Sequence, residues 1–313
     1  MMTIGLDIGG TKILGLLYDK NGNEVAREKK KTKANEGLDI VMQQVYKVVD
    51  ELLKNTDDTV DGIGVGVPGL VNENGTVLFS PNIPFRNFEL SKLIGKRYGV
   101  PVYVGNDVNV AMYGEWKHIG DNTSKDVLGL FIGTGIGGAI IIDGKLYVGQ
   151  GSAAEFGHMV VSADGAYCGC GAQGCLEAYA SKTAMQTYIE KQIAKGRNTK
   201  LASLLAEDGP VLKSSSLRKA YDEKDELAVE VIDRASRYLG IAVGSLVNLY
   251  HPQQIILGGG VMEAIGEVLL DKTLKEAALH AMPGMLATVK FSISVMGDEA
   301  GVYGAYQLMR NLL

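Results

Sequence analysis

The sequence predicts an α/β protein of two similar halves that share a cleft. Three observations predict it. A short apolar strand, a glycine turn and a return strand occur at 3–18 and again at 127–142. Around each hairpin, segments of helical periodicity alternate with short β-branched runs, so that each half reads as a βββαβα-like unit. The 313 residues also exceed the roughly 250–300 at which one hydrophobic core stops growing. The duplication is one of architecture more than of sequence.

Taken in order, Thr3 to Ile8 is a buried strand stopped by Gly9-Gly10, and Lys12 to Tyr18 is its partner, closed by the turn at 19–23. The run Lys29-Lys30-Lys31-Thr32-Lys33 reads most simply as a solvated strand edge, with a phosphate role as the alternative. From Leu38 to Leu53 the apolar residues Val41, Val45, Val48, Val49, Leu52 and Leu53 recur at helical spacing. Gly62 to Val67 is a strand ended by Pro68-Gly69, Leu90 to Tyr98 a helix, Val100 to Val104 a strand and Val108 to His118 a helix. The order then restarts with a strand at Val127 to Ile132, a glycine turn from Gly133 to Gly138 and a return strand at Ala139 to Ile142. Ala163 to Gly174 is a polar, cysteine-bearing loop, and Glu226 to Tyr250 a long helix. Gln254 to Leu257 is a strand running into Gly258-Gly259-Gly260, and Gly301 to Leu313 a short final helix. The division expected is a smaller domain over 1–118, which the helix at 301–313 is a candidate to join, and a larger one over 119–300.

Composition narrows the partners. With 31 basic against 36 acidic residues the net charge is -5, which argues against nucleic acid or an anionic membrane as the main partner. The 41 glycines are about twice the usual share, beside only 7 prolines, and imply tight turns and close backbone approaches. No basic leader or cleavage site is visible, and the longest apolar run, Val127 to Ile142, falls short of the ~20 residues a membrane span needs. The cysteines are odd in number and confined to 168–175, unlike a secreted disulfide framework. A soluble, cytoplasmic protein is expected.

Two turns carry candidate chemistry. In Asp7-Ile8-Gly9-Gly10-Thr11-Lys12, the glycines let backbone amides approach a phosphate, Thr11 adds a hydroxyl and Lys12 a charge. Asp7, at a strand end, is in reach of a magnesium ion held on such phosphates. The second turn is Gly133-Thr134-Gly135-Ile136-Gly137-Gly138. Its match to G-x-G-x-x-G is a decoy for a dinucleotide site, because a β-pattern follows where that fingerprint needs a helix; the match at Gly64 to Gly69 contains Pro68. No G-x-x-x-x-G-K-[ST] is present, which excludes a P-loop. For either turn alone a tight hairpin needing positive φ is an even alternative. Two such turns, one per half, favour a shared nucleotide cleft.

The pair D-x-G-G-T-K and G-T-G-x-G-G resembles the two phosphate loops of the actin-like ATPase superfamily. The resemblance implies two actin-like (ribonuclease H-like) domains with the triphosphate of ATP clamped between them, on Gly9, Gly10, Thr11, Lys12, Thr134, Gly135, Gly137 and Gly138. It also implies that Gly258, Gly259 and Gly260 lie near the adenosine; a plain strand-to-helix turn is the alternative there.

The most specific segment is Glu155-Phe156-Gly157-His158, followed after nine residues by Cys168-Gly169-Cys170-Gly171-Ala172-Gln173-Gly174-Cys175-Leu176-Glu177. His158, Cys168, Cys170 and Cys175 form a Cys₃His set, which suits a closed, structural zinc site. Small buried cysteines or a redox pair are the alternatives, but C-x-C is not C-x-x-C, and glycine spacing with a histidine just upstream favours metal. The run E-x-G-H, then C-x-C-G-x-x-G-C-x-E, resembles the signature of the ROK family of bacterial glucokinases and related sugar kinases. Nearly the whole chain shares the likeness, from Asp7 to the triple glycine. It implies that the zinc-bound His158 also touches a sugar and that Glu155 and Glu177 bind its hydroxyls.

Gly105-Asn106-Asp107-Val108-Asn109 joins a strand to a helix, where an N-cap is the plain role for Asn or Asp. Asn106 can fill it and leave Asp107 free. The resemblance assigns Asp107 as the general base for the sugar's primary hydroxyl, and implies further sugar contacts from Asn106, Gly69 and the Ser80-Pro81-Asn82 stretch; Asn82 as a turn residue is the alternative. The reaction expected is ATP-dependent phosphorylation of a hexose, glucose first, with Mg²⁺ and a structural Zn²⁺, in a homodimer. Kinases for fructose, mannose, allose, N-acetylglucosamine and N-acetylmannosamine share these motifs, and polyphosphate is an alternative donor. A non-catalytic sugar sensor is the runner-up, weakened here because the phosphate strand opens at Thr3 with no helix-turn-helix ahead of it. A zinc hydrolase is disfavoured because a Cys₃His set leaves no open metal position.

Overall fold

The computed structural model describes residues 2–119 and 123–313. The first half opens with an antiparallel meander, β1 (Met2–Ile8), β2 (Lys12–Tyr18) and β3 (Glu24–Lys31). Ile4, Leu6, Ile8, Ile13 and Leu17 are fully buried, as expected of strands covered on both faces. Helix α1 (Leu38–Leu53) lays Val41, Val45, Val48, Val49 and Leu52 against this meander. Strand β4 (Val60–Val67) then pairs parallel to β1. A small antiparallel sheet follows, of β5 (Leu70–Val71), β6 (Val77–Phe79) and β7 (Arg86–Phe88). Helix α2 (Leu90–Tyr98) stops at Gly99, whose φ of 71° is left-handed. Strand β8 (Val102–Asn106) completes a five-stranded sheet in the order β3-β2-β1-β4-β8, and α3 (Asp107–Ile119) leaves its end.

The second half repeats this plan. Strands β9 (Val127–Ile132), β10 (Ile136–Ile142) and β11 (Lys145–Tyr147) form the meander. An insertion carries the cysteine loop and helices α4 (Glu177–Ala180), α5 (Lys182–Ala194), α6 (Leu201–Asp208) and α7 (Ser214–Asp222). Helix α8 (Glu226–Tyr250) is capped by Asp225, whose carboxylate accepts the amides of Leu227 and Ala228. Strand β12 (Gln254–Gly258), helix α9 (Gly260–Ala277) and strand β13 (Lys290–Ile293) close the sheet in the order β11-β10-β9-β12-β13. In both sheets the first three strands are antiparallel neighbours and the last two join in parallel, so the expected duplication is one of connectivity.

Helix α10 (Ala300–Arg310) returns to the first half. Gly5 and Gly64 are paired neighbours in β1 and β4 and form a trough for it. A Cβ on Gly64 would lie 1.9 Å from the Ala305 carbonyl oxygen, so only glycine permits this approach. On the other side α10 crosses α3 at Gly304, where a Cβ would lie 1.8 Å from the Val110 carbonyl oxygen. Val110, Met112 and Trp116 of α3 then pack with Val127, Ile141 and Ile256 of the second sheet. Helices α3 and α10 therefore form the layer between the two sheets.

Several boundaries differ from the sequence reading, three of them with a plain consequence. Strand β8 begins at Val102 rather than Val100, because Pro101 has no amide to give the ladder and only its carbonyl is used, by the Ile63 amide at 3.1 Å. Strand β10 begins at Ile136, so Gly137 and Gly138 are strand residues and not turn residues. The final helix ends at Arg310, three residues before the C-terminal Leu313. Among the described residues no helix is long and apolar enough to cross a membrane.

Candidate active site

The end of β8 delivers two adjacent polar side chains with different tasks. The Asn106 side-chain oxygen accepts the Asn109 amide at 3.1 Å and so caps α3, while its Nδ2 donates to the Gly69 carbonyl at 3.0 Å. The cap is thus filled, and among the described residues the Asp107 carboxylate is held only locally, by the Val108 amide at 2.9 Å and by its own amide. Burial pushes the Asp107 carboxyl above the usual carboxylate range; backbone amides oppose this, and the charge of Glu155 adds to it. Asp7, at the end of β1, behaves alike. Burial first and then the charge of Asp107 push it up to about 7, with Lys12 opposing and Asp298 adding. Asp7, Asp107 and Glu155, from three segments, therefore face one region, with Asp298 beside Asp7. Such a site favours a cation, since one charge there raises the cost of the next. Lys12 is bonded to Asp298, which lies just before α10.

The two glycine turns meet across the cleft. Gly10 and Thr11 of the first and Thr134 of the second line a common cavity of about 720 Å³ with Lys31, Lys33 and Asn82. The lysine run does lie on a solvated strand edge, since β3 is the outer strand of its sheet and Lys29, Lys31 and Lys33 are exposed; Lys31 and Lys33 also line the cleft, which keeps the phosphate alternative open for these two. Each turn joins two antiparallel strands, but none of Gly9, Gly10, Gly133, Gly135, Gly137 and Gly138 has positive φ, so a left-handed backbone does not explain these glycines. Close approach explains most of them instead. A Cβ on Gly10 would lie 2.9 Å from Asn82 Cβ, on Gly135 2.4 Å from Glu177 Oε2, on Gly137 2.8 Å from the Val108 side chain, and on Gly138 2.4 Å from the Phe156 ring. Gly258, Gly259 and Gly260 join β12 to α9, with Gly259 at φ 88° as the N-cap and close against the Ile132 carbonyl. The triple glycine thus adjoins the second turn.

A small cavity of about 80 Å³ lies between the halves, lined by Gly69, Asn106, Asn109, Gly138 and Glu155. Gly69 has φ 115°, and a Cβ there would lie 2.0 Å from the Phe79 carbonyl oxygen. Asn109 was not singled out from sequence. It is 4% exposed, and its Oδ1 is sealed with no partner among the described residues. Its only sequence signal is the second Asn of N-D-x-N, which reads equally well as part of a helix cap.

His158 ends a short 3₁₀ turn, Phe156–His158, and its ring meets the cysteine loop. The ligand atoms of His158, Cys168, Cys170 and Cys175 all lie within 4.8 Å of one another. Cys168 Sγ is 3.7 Å from His158 Nδ1, and the Sγ atoms of Cys170 and Cys175 are 3.8 Å apart. With zinc–sulfur bonds of about 2.3 Å, a tetrahedron has sulfur–sulfur edges of about 3.8 Å. The three thiols are free. Burial pushes Cys175 up to about 12 and raises Cys168, whereas the Ala172 amide lowers Cys170. All three can be thiolates together only beside a cation, so the donor set fits zinc.

Glu177 opens α4 beside this cluster. Its Oε2 accepts the Ile136 amide at 2.7 Å and its Oε1 is 4.0 Å from Cys168 Sγ. The carboxylate expected on a sugar hydroxyl is here bonded to the second glycine turn.

Comparison with known proteins agrees with this geometry. The ROK family model matches residues 3–311. The chain is 35% identical to a glucokinase of Streptomyces coelicolor over 99% of this chain and 98% of that one. It is 30% identical to the xylose repressor of Caldicellulosiruptor bescii, over 98% of this chain and 77% of the repressor. Among solved structures, a ROK family glucokinase from Streptomyces griseus in complex with glucose and AMPPNP superposes with a TM-score of 0.80 at 34% identity, covering 99% of this chain and all of that one.

Proposed function

The chain belongs to the ROK family, and from that premise we propose that it is an ATP-dependent sugar kinase that passes the γ-phosphoryl group of ATP to the primary hydroxyl of a hexose, glucose before others. One observation carries the reading: the freed, half-buried carboxylate of Asp107 stands by Asp7 at the junction of two halves whose glycine turns line one cleft. The likeness to a glucokinase complexed with glucose and an ATP analogue supports it.

Phosphoryl transfer needs alignment, neutralised charge and a proton acceptor. Asp107 orients the attacking hydroxyl and takes its proton. Burial makes its carboxylate a stronger base than a solvated one, because the charged form is less well hydrated. Asn106, Glu155 and His158 present polar groups that a polyhydroxyl substrate pairs and a deoxy analogue leaves unpaired. Thr11, Thr134 and the backbone of both turns receive the phosphates, with Lys31 and Lys33 at the rim. Magnesium on those phosphates, within reach of Asp7, would supply the neutralising charge. Zinc on His158, Cys168, Cys170 and Cys175 would be structural, ordering a loop that has little apolar content.

The likeness to a xylose repressor gives the second reading, a sugar sensor without turnover. A coupled assay with Mg-ATP over a panel of hexoses and N-acetylhexosamines separates the two. Highest kcat/KM with glucose is expected. Preference for another sugar reassigns the substrate and keeps the mechanism. Sugar binding without turnover of any panel member, with ATP or with polyphosphate, rejects the kinase.

A further inference from the structure

The second glycine turn is held from one side by the segment that follows the cysteine cluster. The Gly133 carbonyl accepts the Lys182 amide at 2.9 Å. The Thr134 carbonyl accepts the Thr183 hydroxyl at 2.8 Å and the Thr183 amide at 3.4 Å. The Ile136 amide goes to Glu177 at 2.7 Å. Among the described residues no acceptor takes the amides of Thr134 and Gly135. The turn therefore has its carbonyls tied back and these two amides uncommitted. That sorting matters for an anion, because a carbonyl facing a phosphate repels it and an amide attracts it. Thr183 does the tying with a side chain, near the N-terminus of α5, where Ser181 already caps the helix through the Ala184 amide.

We propose that Thr183 is a positioning residue for the nucleotide phosphates: together with Glu177 it holds the 133–136 turn in its amide-presenting shape, and so passes the order of the adjoining Cys₃His loop to nucleotide affinity. The inference rests on the kinase reading. Cys175 precedes Glu177 by two residues and Cys168 Sγ lies 4.0 Å from its carboxylate, so the cluster adjoins Glu177 directly and Thr183 through the one-turn helix α4 that links them. Nucleotide binding then depends on the integrity of a loop that supplies no phosphate contact itself.

Thr183 is exposed, so its replacement leaves the core intact. The test is equilibrium binding of AMPPNP with magnesium, and separately of glucose, to the full chain by calorimetry, with Thr183→Val and Thr183→Ser. One hydrogen bond of this type is worth about a three- to tenfold change in affinity. Thr183→Val is expected to weaken AMPPNP binding by that factor, leave glucose binding unchanged, and keep the wild-type melting temperature, while Thr183→Ser restores the affinity. Removing zinc with a chelator, read by metal content and AMPPNP binding, is expected to weaken nucleotide binding at least as much. Unchanged AMPPNP affinity in Thr183→Val overturns the inference and leaves the kinase reading standing. Equal loss of both ligands overturns it too, as the mark of general loosening. Failure of the wild-type protein to bind AMPPNP removes the kinase reading and the inference together.

Discussion

Asp107 and Asn106 show how neighbouring residues of similar chemistry are given different work by one bond. Asn106 spends its side-chain oxygen on the helix cap and its amide on Gly69, which releases Asp107 from structural duty. The dipeptide was legible in the sequence as cap plus candidate base, yet only the geometry assigns the cap to Asn106. Asn109 escaped because burial is a property of packing, and nothing in its spacing shows that its oxygen is sealed. Glu177 was placed with the sugar by resemblance, and in the folded chain it holds the Ile136 amide. Replacing Asp107 by Asn is expected to leave sugar binding within a few fold and to lower kcat by about 10²–10⁴; near-normal kcat would refute its role as the base. The pH profile checks the same group. Asp107 must be charged to accept the proton, and burial raises its pKa, so kcat should fall with falling pH at values above the ordinary ~3.9 of an aspartate. That limb should be absent from the residual activity of the Asn variant.

Among elements, glycine has the largest share in setting contacts. The sequence left a hairpin needing left-handed backbone as the alternative to phosphate binding at each glycine turn, and the structure shows no left-handed glycine there and assigns most of these glycines to close approach. A lone sequence does not separate the two uses, since both appear as Gly beside a strand. The pairing of Gly5 with Gly64 beneath α10, and the crossing of α3 at Gly304, let two helices stack between two sheets. Gly304→Ala would drive a methyl into the Val110 carbonyl, which no rotamer can relieve. A loss of at least about 2 kcal/mol is expected, read as a clear fall in melting temperature; an unchanged melting temperature would contradict this account of the crossing. Gly260, where a Cβ meets nothing within 4 Å, is the control and should tolerate Ala.

At the scale of the whole molecule, two sheets of one connectivity are joined through α3 and α10, and the candidate site lies where they face each other. We propose that the halves move toward one another about these helices when both substrates bind, which would exclude water from the phosphoryl acceptor position. Small-angle scattering should then show a smaller radius of gyration with glucose and AMPPNP together than with neither. An identical curve would show a cleft that works without closing.

Hydrophobic period, glycine punctuation and residue spacing were enough to read most strands, the repeated hairpin, the α1 and α8 helices, and the cysteine–histidine cluster. These are local signals, written by residues that are neighbours along the chain or share one element. The donor set of the metal cluster was likewise visible, because its cysteines lie within one loop. The tertiary structure alone decided what depends on elements distant in sequence. It placed α10 on the first sheet, brought Lys31 and Lys33 to the cleft, and set Asp107 where its charge adds to the burial that raises Asp7. The reason is physical: a strand or turn is fixed by its own residues, whereas burial, charge coupling and close backbone approach exist only once separate segments are packed together.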